Sequence, residues 1–251
     1  MNLTNATPPV ALITGCAQRI GAVIAEQLHD SGYNIIIHYR HSQKSAEILT
    51  HNLNTQRADS AICIAADLQN HSAILSLAKQ SVAAWGHIDA LINNASSFFP
   101  TPIRKTTETD WDALIDSNMK APFFLAQALS DHLKKQFGCI INIADIYAET
   151  PLAQHTVYCM AKAGNVMLTK SLACELAPQV RVNGIAPGAI LWPKDATQEH
   201  ETAQEKILEK IPLHRTGEAL DIAKTVLFLL RDAPYITGQI IKVDGGRSVC
   251  S

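Results

Sequence analysis

Val10-Ala-Leu-Ile-Thr-Gly-Cys-Ala-Gln-Arg-Ile-Gly21 is the stretch on which the reading of the whole chain turns. Val10–Thr14 is apolar and β-branched enough for a strand, and the run Ile20–Asp30 has helical spacing. The loop Thr14–Gly21 joins them, with Gly15 at the strand end and Gly21 in the first helical turn. Glycine at the first place permits a tight turn, and at the second it lets backbone approach a ligand. The free N–H groups and positive dipole end of the helix then suit an anion such as a pyrophosphate. The plain alternative is an ordinary strand-to-helix turn, because a glycine-spaced loop alone is weak evidence.

Working outward, apolar runs alternate with longer amphipathic stretches. Further strands are expected at Asn34–Tyr39, Ala61–Ala66, Ala90–Asn93, Cys139–Ile143, Arg181–Ile185 and Gln239–Val243. Helical patterns lie near Ser45–Thr55, His71–Trp85, Asn118–Lys135, Val157–Glu175 and Ala219–Leu230. This alternation predicts an α/β fold, a single Rossmann-type doubly wound parallel sheet of about seven strands with helices on both faces. Gly32 and Gly138 follow helices and precede strands, as C-terminal caps should. Leu191–Arg215 stands apart: it is polar, rich in Glu and Gln, and bracketed by Pro187-Gly188 and Pro212. It reads as a lid over a ligand crevice, or else as a solvated surface helix.

At 251 residues the chain is long for one domain, yet α/β chains of about 250 often stay single, and 1–251 is read that way. Apolar residues make up 47% and charged residues 18%, which excludes a disordered chain. The 21 Lys+Arg against 23 Asp+Glu exclude a general grip on nucleic acid. No apolar run approaches the ~20 residues needed to span a bilayer. Met1–Pro9 lacks an apolar core and reads as a polar lead-in, not a signal peptide. The six cysteines are scattered with no C-x-x-C pair, so reduced thiols and a cytoplasmic setting are expected. His38 and His41 are only a weak pair among ten histidines, and no metal is expected.

The second strand ends at Tyr39 and is followed by Arg40-His41-Ser42. A dinucleotide fold selecting NAD wants a carboxylate there for the ribose 2′-OH, and none is present. An arginine beside a hydroxyl suits the 2′-phosphate of NADPH through charge-assisted bonds, unless Arg40 is merely solvated. Tyr158 and Lys162 are spaced i,i+4 and so share a helix face. A phenol titrating near ~10 is sluggish at neutrality; lowering it by ~3 units takes about 4 kcal/mol, for which a nearby ammonium is suited. Asp145 lies just past the strand Cys139–Ile143, where ligand sites gather in open α/β sheets. By itself a Tyr-x-x-x-Lys is more often surface decoration, and its weight comes from the other parts.

Those parts are the Thr14–Gly21 loop, Asp67-Leu68, Asn93-Asn94-Ala95-Ser96, Asn118, Tyr158 with Lys162, Arg181-Val-Asn-Gly-Ile-Ala-Pro-Gly188 and Asp244-Gly245-Gly246. Over nearly its whole length the chain resembles the short-chain dehydrogenase/reductase family. The resemblance implies that Asp67 and Leu68 meet the adenine and that Asn94 and Ala95 lie along the cofactor. It places Ile20, Tyr39, Pro187 and Gly188 on the cofactor as well. It makes Tyr158 the acid/base, has Lys162 hold the nicotinamide ribose and tune Tyr158, and has Asn118 anchor a proton-relay water. It also implies a homotetramer in which helices Asn118–Lys135 and Val157–Glu175 pair between subunits.

Two departures narrow the resemblance. The middle glycine of the family's loop is Arg19, and the usual catalytic serine is Asp145. Together with Asn94-Ala-Ser-Ser-Phe-Phe-Pro-Thr-Pro102 and Ser117-Asn-Met-Lys-Ala-Pro-Phe-Phe124, they are similar to the pteridine reductase subgroup. A pterin is a flat heteroaromatic ring with N–H donors, which a carboxylate such as Asp145 suits. An aromatic ring stacked on it is worth about 1 kcal/mol beyond area burial. Phe98 is the candidate for that ring, with plain packing as its alternative, and Phe99 is a core candidate. Subgroup resemblance also implies that Arg19 bridges cofactor phosphate and substrate. Ser96, in the place of a family glycine, could meet the cofactor phosphates or the pterin edge.

The expected reaction is hydride transfer from NADPH to a dihydropterin, with dihydrofolate or oxidised pterin as further substrates and the proton coming from Tyr158. Two alternatives remain: a carbonyl or 3-oxoacyl thioester reductase, and a silent NADP-binding sensor. The missing serine opposes the first, and the intact Asn118, Tyr158 and Lys162 oppose the second.

Overall fold

Strand residues point alternately to opposite faces, and here both faces are apolar, which is the mark of a sheet covered on both sides. The computed structural model describes residues 7–190 and 205–250. Its strands are β1 (Val10–Ile13), β2 (Asn34–Tyr39), β3 (Ala61–Ala65), β4 (Ala90–Asn93), β5 (Cys139–Ile143), β6 (Arg181–Pro187) and β7 (Ile240–Val243). The named helices are α1 (Arg19–Asp30), α2 (Gln43–Gln56), α3 (His71–Trp85), α4 (Glu108–Ile115), α5 (Ala121–Lys135), α6 (Thr156–Leu176) and α7 (Ala219–Arg231). All strand pairs are parallel, in the order β3-β2-β1-β4-β5-β6-β7.

Ala11, Ile13, Ile35, Ile37, Ile92, Ile141 and Ile185 face one core, closed by α1, α2 and α7 through residues such as Ile24, Leu28, Leu49 and Val226. Val10, Leu12, Ile36, Leu91, Ile140 and Val182 face the other, closed by α3, α5 and α6 through Leu77, Leu125, Leu129 and Leu172. The site follows from the order of strands. β1 sits between β2 and β4, with Ala11 opposite both Ile35 and Ala90. The chain runs outward from β1 to β3 and then returns to β4 on the far side. At that reversal the loops after β1 and β4 diverge and leave a crevice at the strands' carboxyl ends.

Two expectations need correction. The helix expected near Asn118 begins ten residues earlier as α4, started by a capping box. Thr107 Oγ1 accepts the Asp110 N–H at 3.2 Å, and Asp110 Oδ2 accepts the Thr107 N–H at 2.9 Å. Between α4 and α5 the chain widens into a π-helical turn, Asp116–Lys120, and the Ala121 N–H reaches back to the Asp116 carbonyl. Pro122 explains the widening: it has no N–H for the Asn118 carbonyl four residues back, and its ring would crowd that carbonyl.

The second correction concerns Gly138. Gly32 does take the left-handed cap position, at φ 95°. After α5, however, that position is held by Phe137 at φ 51°, not by Gly138. Gly138 is needed for space, since a Cβ there would lie 2.5 Å from the Asp89 carbonyl. Of the proposed lid, 191–204 lies outside the described residues, and 205–208 is helical.

The two neighbours should therefore respond oppositely in thermal melts. Phe137→Gly relieves a left-handed side chain and should raise stability by about 1 kcal/mol. Gly138→Ala should lower it by roughly 1–3 kcal/mol through overpacking. Equal and small shifts in both variants would show that neither constraint acts.

Candidate active site

The crevice at the reversal point is a cavity of about 440 Å³. Gly15, Arg19, Ile20, Gly21, Tyr39, Arg40, His41, Ser42, Asp67, Leu68, Asn94, Ala95 and Ser96 all line it. Lys162, Pro187 and Gly188 are not among its lining residues, whereas Gln18, His38, Gln69, Ser97 and Ser117, which sequence reasoning passed over, are.

The loop after β1 is built for close approach. Gly15 is left-handed at φ 61°, and a Cβ on it would lie 2.9 Å from the Ala95 Cα. A Cβ on Gly21 would meet Asn94 Nδ2 and Cys16 Cα, both at 2.6 Å. From β4, Asn94 donates through Nδ2 to the carbonyls of Thr14 (2.9 Å) and Gly15 (3.0 Å). Thr14 Oγ1 accepts the N–H groups of Asn94 and Ala95 at 2.9 and 3.0 Å. The N–H groups that open α1 have no partner within the helix, and Arg19, Ile20 and Gly21, which carry them, line the cavity. Arg19 is the exception in this loop, a side chain held at φ 57° where glycine is the natural occupant. Across the cavity Arg40 lies 3.2 Å from Asp67 Oδ2 and 3.3 Å from Gln69 Oε1.

The chemistry-bearing residues converge between β5 and α6. Asp145 Oδ1 accepts the Tyr147 N–H at 2.8 Å, capping the short 3-10 turn Ile146–Ala148. Its Oδ2 accepts the Tyr158 hydroxyl at 2.6 Å. One turn on, Lys162 is 2% exposed and donates to the Ile143 carbonyl at 2.8 Å, with Nζ 5.7 Å from the centre of the Tyr158 ring. Burial pushes the Asp145 carboxyl above its ordinary range, against the pull of its Tyr147 and Tyr158 hydrogen bonds and of Lys162. Tyr158 is held far above an ordinary phenol, first by burial and then by the Asp145 carboxylate. Burial and the Asp145 carboxylate thus act against the phenolate that Lys162 is expected to favour. Lys162 itself is brought down to about 8 by burial, with Asp145 acting the other way.

Asn118 is present, but its side chain is fully employed. Oδ1 accepts the Ser96 hydroxyl at 2.7 Å, and Nδ2 donates to the carbonyls of Ser97 and Leu114, each at 2.9 Å. Its backbone carbonyl, which Pro122 leaves without an N–H, accepts Asn165 Nδ2 at 3.0 Å. Phe98 is 55% exposed, stacks on His155 at 4.7 Å and meets the edge of Tyr158 at 4.8 Å. Phe99, half-buried, packs against the cluster of Leu114, Val157 and Tyr158. Neither Asn165 nor His155 carries a motif that would have exposed it in the sequence.

These residues fit a nicotinamide dinucleotide. Two glycines keep a backbone cradle open, a helix opens onto it, and among the described residues the buried ammonium donates to one carbonyl and so has protons to spare. Comparison with known proteins agrees. The family described as enoyl-(acyl carrier protein) reductase matches residues 15–248. Pteridine reductase 1 of Leishmania tarentolae is 38% identical, over 98% of each chain. The 3-oxoacyl-[acyl-carrier-protein] reductase of Staphylococcus aureus is 37% identical, over 94% of this chain and 96% of its own. A (2S)-[(R)-hydroxy(phenyl)methyl]succinyl-CoA dehydrogenase subunit of Thauera aromatica is 37% identical, over 96% of each. The chain belongs to the short-chain dehydrogenase/reductase family. It is accordingly an oxidoreductase of the kind that works with a nicotinamide cofactor and small-molecule substrates. Among the described residues no helix is long and apolar enough to cross a membrane.

The Lys162 value gives a pH prediction. Its pKa is lowered, so the charged form is full below about pH 8 and is lost as pH rises through that value. If catalysis uses the ammonium, kcat/KM should fall above about pH 8. Asp145→Asn removes a charge that raises the Lys162 pKa, so it should move this alkaline limb to lower pH. A limb that stays in place in the variant would show that another group sets it.

Proposed function

We propose that this chain is an NADPH-dependent pteridine reductase that converts a dihydropterin to its tetrahydro form, with dihydrofolate and oxidised pterin as further substrates. The observation that carries this reading is the 2.6 Å contact between the Tyr158 hydroxyl and Asp145, a carboxylate standing where carbonyl reductases of this family have serine. The similarity to pteridine reductase 1 supports it.

When bound, the reduced cofactor supplies the hydride. Gly15, Ile20, Gly21, Asn94 and Ala95 would form its bed, and Arg40, now paired with Asp67, would with His41 and Ser42 be the groups to hold a 2′-phosphate. Lys162 offers its unused protons to the nicotinamide ribose. Phe98, set by its stack on His155, holds the flat substrate ring. Asp145 accepts from the N–H groups of that ring, and Tyr158 gives its proton to the ring nitrogen beside the carbon that gains the hydride. The Lys162 ammonium then stabilises the resulting phenolate. Arg19 bridges cofactor phosphate and substrate, which gives a reason for keeping a strained side chain at a glycine position, and Ser96 edges the same space while bonded to Asn118.

A second reading, a 3-oxoacyl thioester reductase, draws support from the 37% identity to the Staphylococcus aureus enzyme. The deciding experiment follows NADPH consumption with dihydrobiopterin, dihydromonapterin, dihydrofolate and an acetoacetyl thioester in parallel. Pterin turnover is expected. Tyr158→Phe should reduce it by roughly 10²-fold or more while NADPH still binds. Arg19→Gly should melt higher yet raise KM. Turnover of the thioester alone would overturn the pterin reading, and silence on all four with NADPH bound would favour a sensor.

We also propose a homotetramer built on α5 and α6, supported by exposed Phe123, Met160 and Met167 on those helices. Light scattering should give four times the 27.3 kDa chain mass, and a monomer mass would sink the proposal. The six free cysteines accord with a cytoplasmic setting.

A further inference from the structure

His38, the residue before the last of β2, lies against the phosphate loop, 2% exposed, and both of its ring nitrogens are engaged. Nδ1 lies 3.0 Å from the Gly15 amide, and Nε2 lies 3.0 Å from the Ala66 carbonyl. The partners fix the tautomer. An amide N–H only donates, so Nδ1 must be the bare nitrogen; a carbonyl only accepts, so Nε2 must carry the proton. A ring protonated at Nδ1, whether as the other neutral tautomer or as imidazolium, would set two donors against each other at Gly15. The same residue's carbonyl accepts the Cys16 N–H at 3.2 Å, so His38 holds two consecutive loop residues. Burial depresses the imidazole pKa to about 4, with the Ala66 carbonyl and the Asp67 carboxylate acting the other way. Asp67 is itself paired with Arg40, and Cys16, which hydrogen-bonds through its own thiol to the Ile13 carbonyl, lies next to the loop glycine.

We infer that His38, as the neutral Nε2–H tautomer, is the positioning residue of the phosphate loop. Asn94 fixes the loop from β4 and His38 fixes it from β2, so the turn is clamped from both sides of the reversal point. By taking up the Gly15 N–H, His38 removes that donor from competition. The amides that open α1 are left as the ones presented to a phosphate. The ring contributes no charge to the anion site; its contribution is the conformation of Gly15. This holds whichever substrate the enzyme reduces, because it concerns only the cofactor.

The test compares the wild-type protein with His38→Asn and His38→Leu. Asparagine Oδ1 stands about where the histidine Nδ1 stands and still accepts from Gly15, while leucine accepts nothing. NADPH affinity, read by cofactor fluorescence, should weaken roughly ten-fold in His38→Leu, the effect of about one lost hydrogen bond. His38→Asn should restore most of it, and the loss should fall on KM for NADPH more than on kcat. In the wild-type protein, ¹⁵N NMR of the ring at neutral pH should show a bare Nδ1 and a protonated Nε2. Equal NADPH affinity in all three proteins would overturn the inference, as would His38→Asn binding as weakly as His38→Leu. A protonated Nδ1 would overturn it too, and that measurement stands even if His38→Leu does not fold.

Discussion

The pairing of β1 with β2 on one side and β4 on the other is the constraint from which the site follows. Because both ladders of β1 are filled, the segments leaving Ile13 and Asn93 must turn away from the sheet edge, one towards α1 and the other towards α4 and α5. Those helices cover opposite faces, so the turns separate and a crevice opens between them. Thr14 and Asn94 stitch its floor with hydrogen bonds through side chain and backbone alike. A cofactor bed therefore needs no special sequence beyond glycines that keep backbone exposed and side chains that hold the two turns together.

The reactive groups are held from behind by a buried polar ladder. Asn93 donates to Asn142, Asn142 to Thr169, Thr169 to the Asn165 carbonyl, and Asn165 to the Asn118 carbonyl. That chain joins β4, β5, α6 and the π-helical turn, the elements that carry Asn94, Asp145, Tyr158 and Asn118. Its last link depends on a proline. Pro122 supplies no N–H to the Asn118 carbonyl, which leaves that oxygen open to Asn165. These directional bonds set the helix against the sheet, although Asn93 Oδ1 and Asn165 Oδ1 find no partner among the described residues.

The strands were legible because each is a short apolar run, buried on both faces in the middle of the sheet and only partly buried at the edge strands β3 and β7, and their observed ends fall within two residues of expectation. α4 was not, since among its residues only Leu114 is buried and the helical period barely shows; the signal present was the Thr107–Asp110 capping box. At Gly138 the glycine was visible but its reason was not, because the crowding carbonyl of Asp89 lies in another strand connection. For the site, residues just past strand ends were legible because a parallel sheet gathers all those ends at one edge. His38 and Asn165 were not, for their partners lie 23 and 47 residues away and are backbone groups, which leave no trace in the sequence. The pull of Asp145 on Tyr158 is hidden for a related reason: i,i+4 spacing reveals Lys162, whereas the direct contact with Asp145 depends on where β5 and α6 meet.

That contact bears on the kind of substrate the site favours. A carbonyl being reduced gathers negative charge on its oxygen, and a serine-like hydroxyl helps by donating to it. An ionised Asp145 can only accept, and it would oppose that oxygen at close range. The same carboxylate has acceptor sites to spare for a ring edge that presents N–H groups. Tyr158, raised by burial and by the carboxylate beside it, is held as a proton donor. A loaded acid beside a group that accepts N–H is what the proposed reduction at a ring C=N bond would require, since there nitrogen and not oxygen receives the proton.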